Sequence, residues 1–523
     1  MRNVLLGLVA TTLFACGVFG SSDDSPSAPT PEDNATPPPV GGEAPVGIYV
    51  SSSQGQDDGS GSSVRPLKTL ARAFALAKQQ GARVIACAEE YPENVTLLDG
   101  VSAYGYYDCK KTPWERGAPR AVVRAPASPA MIATGINQPT RIEGFEVRSP
   151  DLDGAPATET TGTTVALEAR DSAGLVLGEV LLHAGKGAAG TDGIEGQVNT
   201  RTATSNGSDA LDQGVKACNP GLQNCGALRI LGPAGGVTTC AIGPSGGAGG
   251  QAGDGRFYAD GVESTGALEF RGRALAATAA TAIGGLNSSV LGLDVGRAGQ
   301  RGANGAEGTD GANVRWSLTS SGFVRGNGTR GGAGSAGQGG GGGAGTKANF
   351  TPAGGVISPP QVGFYATATG GGGGGGGCGG QPGTPGTGGG ASIGALLIAS
   401  TVTIERTRIE TAEGGRAGKG NLGTAGIVGG TGGAGTVHTI ATTGAGGDGG
   451  PGGSGGASGH GAPGPSIALA WSKTKPALTM VDLVPGAGGA GQPALSRVVG
   501  GTIGTKMLAG VTGESKAEHE ITQ

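Results

Sequence analysis

The chain has 523 residues, of which 114 are glycine and 30 proline, while aromatic residues make up only 4%. So few aromatic residues exclude a large conventional globular core. The 36 basic and 40 acidic residues nearly balance and form no basic run, which excludes a typical nucleic-acid-binding surface. The composition instead suits a narrow solenoid or a fibrous element.

The amino terminus has the pattern of an export signal. Arg2 is followed by an apolar segment over residues 4–14 and by the letters LFAC, which end at Cys16. This pattern is typical of a bacterial lipoprotein signal, although its phenylalanine stands where a small residue is usual; the alternative is an ordinary secretory signal that ends at Gly20. The apolar run is too short to cross a bilayer. We predict a signal peptide over residues 1–15 and lipidation at Cys16.

Residues 16–45 are rich in proline and serine and predict an extended linker behind the lipid anchor. A strand is predicted at residues 48–50, and a helix follows in which Leu70, Ala73, Phe74 and Ala77 share one face. Short apolar runs then recur up to residue 147, as in a solenoid whose exposed end is covered by the helix.

The string IYVSSSQGQDDGSGSSVRPLKTLARAFALA, from residue 48 on, resembles the amino-terminal segment of right-handed parallel β-helix proteins of the pectate-lyase-like superfamily. The string CAEEYPENVTLLDGVSAYGYYDC, from Cys87 to Cys109, resembles glycine-rich exported lipoproteins of Gram-negative bacteria. The resemblance implies a fold and a location but no particular chemistry. The predicted fold is all-β, a right-handed parallel β-helix with an amino-terminal capping helix and glycine-rich polyproline II excursions.

Glycine recurs at every third residue in several stretches, of which residues 296–311 are the clearest. A polyproline II helix has three residues per turn, so this spacing places all these glycines on one face. The stretch lacks proline, which disfavours a collagen triple helix. Ordered rods packed beside the β-helix are the favoured interpretation, and flexible glycine loops are the alternative. The predicted organisation is a capped β-helix over residues 46–185, coils interleaved with glycine-rich segments over 186–505, and a polar, frayed tail over 506–523.

Six cysteines remain after Cys16, and an even number in an exported chain predicts disulfides. Their spacing favours three pairs, in which the first joins neighbouring coils, the second closes the loop CNPGLQNC, and the third tethers two glycine-rich segments. The predicted pairs are Cys87–Cys109, Cys218–Cys225 and Cys240–Cys378. Because no Cys-x-x-Cys occurs and the histidines lie far away in sequence, we predict no metal site.

Candidate catalytic residues are scattered in sequence. Two G-x-S-x-G matches, at residues 243–247 and 452–456, lack the strand and the helix that a nucleophile elbow needs. Carboxylates that could serve β-helix hydrolases or lyases, and a histidine in a Gly-His-Gly string, are predicted to be solvated surface residues. Aspartates in the loop 57–61 are expected to belong to a cap loop rather than a calcium site. These candidates are Asp151, Asp153, Glu168, Glu179 and His460. His183 is predicted to be a satisfied polar residue at the end of a strand rather than a ligand, and His438 and His519 have no partners at a recognisable spacing.

The sequence therefore predicts a non-catalytic cell-surface lipoprotein of the outer membrane, with a structural or adhesive role and no cofactor. Its expected partners are the membrane, through the lipid, and a surface polysaccharide or other envelope proteins, but no nucleic acid. The alternative is a β-helix protein that binds or degrades carbohydrate. Convergence of acidic side chains in one groove would favour that alternative.

Overall fold

The computed structural model describes residues 46–521 except 155–161, 203–204, 219–227, 254, 258–286, 291–292, 346–350, 353–362, 439–440, 500–501 and 508. The signal, the linker and Cys16 lie outside the described residues. The described chain consists mainly of strands, most of them in parallel sheets, together with the single helix Leu70–Gln80.

The helix Leu70–Gln80 begins and ends as its sequence predicts. The Thr69 hydroxyl accepts a hydrogen bond from the Arg72 N–H, and Gly81 ends the helix in the left-handed conformation at φ 62°. The four residues predicted to share a face are all buried, in the same hydrophobic cluster as strand residues. The helix therefore covers the first strands of the fold, as expected.

Three parallel sheets form the main body, and each is built from strands far apart in sequence. Sheet 1 contains Ile48–Val50, Val84–Cys87, Ala103–Asp108, Thr140–Glu143, Leu175–Gly178, Thr403–Glu405 and Ala477–Thr479, with Glu115–Arg116 paired to its third strand. Sheet 2 contains Glu90–Tyr91, Ala121–Arg124, Phe145–Arg148, Leu181–Ala184, Arg408–Thr411 and Asp482–Val484. Sheet 3 contains Val95–Leu97, Met131–Thr134, Thr164–Arg170, Ser392–Ile398, Ser466–Trp471 and Ser515–Glu520.

From Val84 onward the chain visits sheets 1, 2 and 3 in the same cyclic order, so each round adds one strand to each sheet. Equivalent apolar residues of successive rounds lie side by side. Leu177, for example, is in register with Ile142 of the round before and with Ile404 of the round after. All three are buried, so aligned columns of aliphatic side chains build the core between the sheets.

Smaller strand groups lie outside the three sheets. They are Asp212–Cys218 with Gly363–Ala368 and Thr351–Pro352; Leu228–Ile230 with Gly255–Phe257; Asn287–Val290, Leu293–Gly296, Ala441–Thr442 and Val437–His438; Ser317–Thr319 with Gly322–Val324; and Leu495–Val499 with Thr502–Met507.

Two details differ from the sequence-based expectation. The apolar run 142–147 is two strands rather than one, because Gly144 (φ 75°) turns the chain from sheet 1 into sheet 2. The polar tail predicted to be frayed contains the strand Ser515–Glu520, which pairs with Ser466–Trp471. A polar strand is accommodated there because it is the last strand of sheet 3 and much of it remains exposed.

The glycine-rich segments all leave the main body at one corner. Three times, the chain departs after a strand of sheet 2 and returns into the next strand of sheet 3. These excursions span residues 185–391, 412–465 and 485–514. Because they begin and end at neighbouring positions on the stack, they emerge side by side.

Candidate functional site

The glycine-rich segments form a second body, in which extended stretches without helix or strand are bonded to one another through their backbones. We call these stretches rods. The rods are residues 185–211 (of which 203–204 are not described), 231–239, 246–253, 296–313 (which begins at the last residue of a strand), 325–345, 369–390, 412–435, 443–465, 485–492 and 510–514.

Rod 369–390 lies at the centre of this bundle. Its N–H groups donate to three different rods in strict rotation: Gly371 to Gly444, Gly372 to Ser208, Gly373 to Gly250, and then Gly374 to Gly447. Its carbonyls accept from three other rods, with donors that include Gly340, Gly433 and Gly236. The central rod is thus hydrogen-bonded on every side, and every third residue of it bonds to the same neighbouring rod.

The surrounding rods also bond to one another and close a ring around the centre. Each rod of the ring is hydrogen-bonded to the next one. The order around the ring is 185–211, 412–435, 443–465, 325–345, 246–253 and 231–239, and the last rod bonds to the first. Representative bonds are Gly193 to Lys419, Gly452 to Ile427, Gly453 to Ser335, Gly250 to Gly340, Gly249 to Gly236 and Ser208 to Ala234. Rods 296–313 and 485–492 lie outside this ring, in grooves beside rod 443–465.

Glycine density follows the number of packed faces. In the part of the chain that the structure describes, the backbone bonds of rod 296–313 to other rods go to 443–465 and 325–345, and this rod carries one glycine in each triplet. Rod 443–465 packs on more sides and carries two glycines in most triplets. The central rod, packed on all sides, has glycine at every position from 370 to 377. A Cβ added at Gly374 would lie 2.1 Å from the Gly430 carbonyl oxygen, so no side chain fits there.

The polar residues of the rods have a structural task that the sequence did not reveal. Side-chain oxygens accept hydrogen bonds from backbone N–H groups of the next rod: Asp192 from Lys419 (2.8 Å), Asp310 from Ala457 (2.8 Å) and Thr387 from Thr191 (2.7 Å). In the sequence, the threonine, asparagine and aspartate residues beside the glycines were the signal that could have indicated these bonds between rods. These side chains accept hydrogen bonds from backbone N–H groups that are not paired with a backbone carbonyl of another rod.

Two of the three predicted disulfides lie within the described chain. Cys87 pairs with Cys109, and Cys240 pairs with Cys378. The second bond joins the central rod to the turn after rod 231–239. Cys225 lies outside the described residues, so the Cys218–Cys225 pair stays a prediction.

Glu89 lies beside the Cys87–Cys109 disulfide, and its carboxylate and the two sulfurs form a compact group. Both sulfurs are used in the disulfide, so they cannot act as thiolate ligands for a metal. Burial opposes ionisation of Glu89, but hydrogen bonds from Ser51, Ser52 and Ser53 hold its pKa below the usual range. Glu89 therefore holds the loop that contains Ser51, Ser52 and Ser53 beside the Cys87–Cys109 disulfide.

The candidate carboxylates do not meet. Asp151 accepts the Lys186 N–H at 2.7 Å, and Asp153 lies 3.6 Å from the Lys186 ammonium, so both hold the start of the first excursion. Glu168 pairs with Arg170 on sheet 3. Glu179, at the turn from sheet 1 to sheet 2, pairs with Arg406 instead.

The remaining candidates also have structural roles. The Asp57 carboxylate accepts the N–H groups of Lys68 and Thr69 and so orders the loop before the helix. His183 lies 3.5 Å from Glu410 on the outer face of sheet 2. The prediction that His460 is a solvated surface residue is wrong: its side chain is fully buried between rods. Its glycine neighbours let the surrounding backbones close over it.

One cavity of about 380 Å³ lies between sheet 3 and the hairpin Ser317–Thr319/Gly322–Val324. Its floor is apolar, with buried Val165, Ile393 and Leu396, and Phe323 of the hairpin packs against the same cluster. Polar groups at its rim include Arg170, Arg325, Glu168, Ser128, Thr163 and Ser321. The Arg170 guanidinium bonds to Glu168 (2.5 Å) and to the Ser320 carbonyl (2.8 Å), which ties the hairpin to the sheet. The cavity is about half open to solvent.

Comparison of the chain with protein-family models, curated proteins and solved structures finds no match. Within residues 46–521, gaps excepted, no helix has the length and apolar character needed to cross a bilayer.

Proposed function

We propose that this chain is a non-catalytic, lipid-anchored protein of the Gram-negative cell surface, with a structural or adhesive role. In this proposal the three sheets form a right-handed parallel β-helix of the pectate-lyase-like kind. The cyclic order of the strands and their in-register stacking support that architecture.

The rods are proposed to be polyproline II helices. A β-strand repeats its environment every two residues, whereas each rod repeats its hydrogen-bond partner every three. At about 3.1 Å per residue, a rod such as 443–465 would extend for roughly 70 Å. The bundle would then be a stiff arm carried by one corner of the β-helix.

The closed ring of rods around a central rod is the observation that carries the functional proposal. Such packing uses the glycine faces inside the bundle, which leaves the residues between the glycines as the outer surface. Rod 296–313 accordingly presents exposed Arg301, Asn304 and Asp310 to solvent. A stiff arm with a long polar surface suits spacing or broad contact better than catalysis in one enclosed site.

Substitution of Cys16 by serine tests the anchor. We expect the variant to move from the membrane fraction to a soluble fraction and to lose labelling by a fatty-acid analogue, because serine offers no thiol for the lipid. A Gly17→Ala variant, in which Cys16 is intact, should stay with the membrane. Unchanged membrane association of the serine variant would contradict the proposal.

A second candidate function, carbohydrate binding, is favoured by the cavity beside sheet 3. Its apolar floor could hold the face of a sugar ring while Arg170 and the rim hydroxyls bind sugar hydroxyls. This candidate needs no reaction at Glu168, which is already paired with Arg170.

Removal of the Arg170 side chain tests this candidate. If surface polysaccharide fragments bind in the cavity, Arg170→Ala should weaken their affinity about tenfold or more in calorimetry, because a charged hydrogen-bond donor is lost. Arg148→Ala is a matched control, since Arg148 pairs with Glu146 in its own strand as Arg170 does with Glu168, but on sheet 2. Equal affinity of both variants, or no binding by the wild type, would reject carbohydrate binding in this cavity.

A further inference from the structure

His460 is a titratable side chain enclosed by rods near the base of the bundle. It lies in rod 443–465, shortly before the strand Ser466–Trp471, and none of its side chain is exposed. Its own N–H donates to the Asn313 side-chain oxygen at 2.8 Å, and the Gly459 N–H beside it donates to the Thr329 carbonyl. The residue therefore sits where several rods converge.

One ring nitrogen of His460 joins two rods directly. Nδ1 accepts a hydrogen bond from the backbone N–H of Gly420, in rod 412–435, at 3.0 Å. A nitrogen that accepts cannot carry a proton, so the imidazole is neutral and its proton is on Nε2. Nε2 has no hydrogen-bond partner of ordinary geometry among the described residues, and the Pro493 backbone lies near the ring.

The surroundings of His460 do not favour a positive charge. Lys419 precedes the Gly420 donor, and rod 369–390 bonds to Gly459 through the Gly386 N–H. The Asp310 carboxylate already accepts the Ala457 N–H. Charged residues of the adjoining segments include Arg416, Lys419, Asp310, Arg325, Arg330 and Arg497, with Asp192 bonded to Arg416 and to the Lys419 N–H.

We propose that His460 is an acid-sensitive clamp that holds rod 412–435 to rod 443–465 while its imidazole is neutral. When Nδ1 takes a proton from water, it can no longer accept the Gly420 N–H. That N–H is then left without its partner, and a cation is enclosed beside Lys419. Both effects weaken the contact between the two rods at this level, while the flanking bonds from Ser458 to Asn421 and from Gly461 to Gly418 remain.

The direction of the pH effect follows from burial. Burial lowers the pKa of His460 below the ordinary value of 6.5; the Pro493 backbone opposes this shift and Lys419 adds to it, so the pKa remains lowered. The unfolded chain therefore binds a proton at a higher pH than the folded chain does. The stabilising contribution is complete above about pH 6.5 and is lost as pH falls toward the folded-state pKa.

The test compares the urea unfolding of the full chain and of a His460→Asn variant between pH 7.5 and pH 5. The asparagine oxygen can accept the Gly420 N–H in place of Nδ1, but it does not titrate. As pH falls below 6.5, the unfolding constant of the wild type should rise more steeply than that of the variant. The excess should be up to about tenfold per pH unit. His183→Asn, which removes a histidine on sheet 2 rather than in the rods, should still show the rise that His460 contributes.

Identical pH dependence of the wild type and His460→Asn would overturn the proposal. A measurement on the wild type alone keeps the test decisive if the variant does not fold. The His460 ring signal, followed by NMR in chain labelled at histidine, should titrate below pH 6.5 while the bundle is folded. Titration at or above 6.5 would show that the clamp does not exist.

Discussion

Replacing Gly374 by alanine is expected to open the rod bundle, although it adds a single methyl group. That methyl carbon would lie 2.1 Å from the Gly430 oxygen and 2.6 Å from its carbon, far inside van der Waals contact. Overpacking typically costs 1–3 kcal/mol, and we expect about 3 kcal/mol or more here because backbone on every side prevents relaxation. We expect the Gly374→Ala variant to unfold at a lower urea concentration than the wild type and to be cleaved rapidly by protease within the rods.

Rod 296–313 supplies a graded control for this prediction. A Cβ at Gly305 would lie 2.1 Å from the Ser335 oxygen, whereas Ala306 is already exposed with its own Cβ. Gly305→Val should therefore lower protease resistance and adhesion, by less than a central substitution does, and Ala306→Val should leave both unchanged. Equal tolerance of all three variants would show that glycine packing does not hold the bundle together.

Removal of the Cys240–Cys378 disulfide is expected to have the second large effect. The bond closes 138 residues of chain, for which the chain-entropy model gives about 5 kcal/mol of stabilisation. Alanine at both positions is the suitable change, because the native rod already accommodates a Cβ at position 378. We expect a large fall in the urea midpoint of the double variant.

The Cys87–Cys109 bond provides the comparison, since it closes only 22 residues and the same model gives about 3 kcal/mol. Its double alanine variant should lose less stability than the Cys240/Cys378 variant. The reverse order would mean that packing around each bond, rather than loop closure, determines its contribution.

Much of the main body could be predicted from sequence because its signals are local. The helix face formed by Leu70, Ala73, Phe74 and Ala77 is a 3.6-residue pattern, and its burial is confirmed. The short apolar runs correctly indicated strands. The spacing of the two cysteines, which places them on neighbouring strands, correctly indicated the Cys87–Cys109 bond. The turn at Gly144 was missed because a corner between two sheets interrupts an apolar run without changing its composition.

The candidate site was harder to predict, since its chemistry depends on non-local partners. Glu179 is an unremarkable carboxylate in sequence, and its partner Arg406, 227 residues further along the chain, comes near it only after folding. His460 looked like a surface residue because glycines flank it. Its surroundings come from residues that precede it by up to 147 positions and from the segment at Pro493 that follows it.

The sequence by itself determined that the rods repeat every three residues, and its glycine density indicates how many of their faces are packed. One glycine per triplet in rod 296–313 and unbroken glycine at 370–377 already distinguish an edge rod from a central one. Only the tertiary structure decided which rods are neighbours. Glycine has no side chain with which to select a partner, so every glycine face is equivalent to every other. Selection instead comes from the common corner where the excursions leave the sheets, from the Cys240–Cys378 bond, and from side chains such as Asp192 that bond across rods.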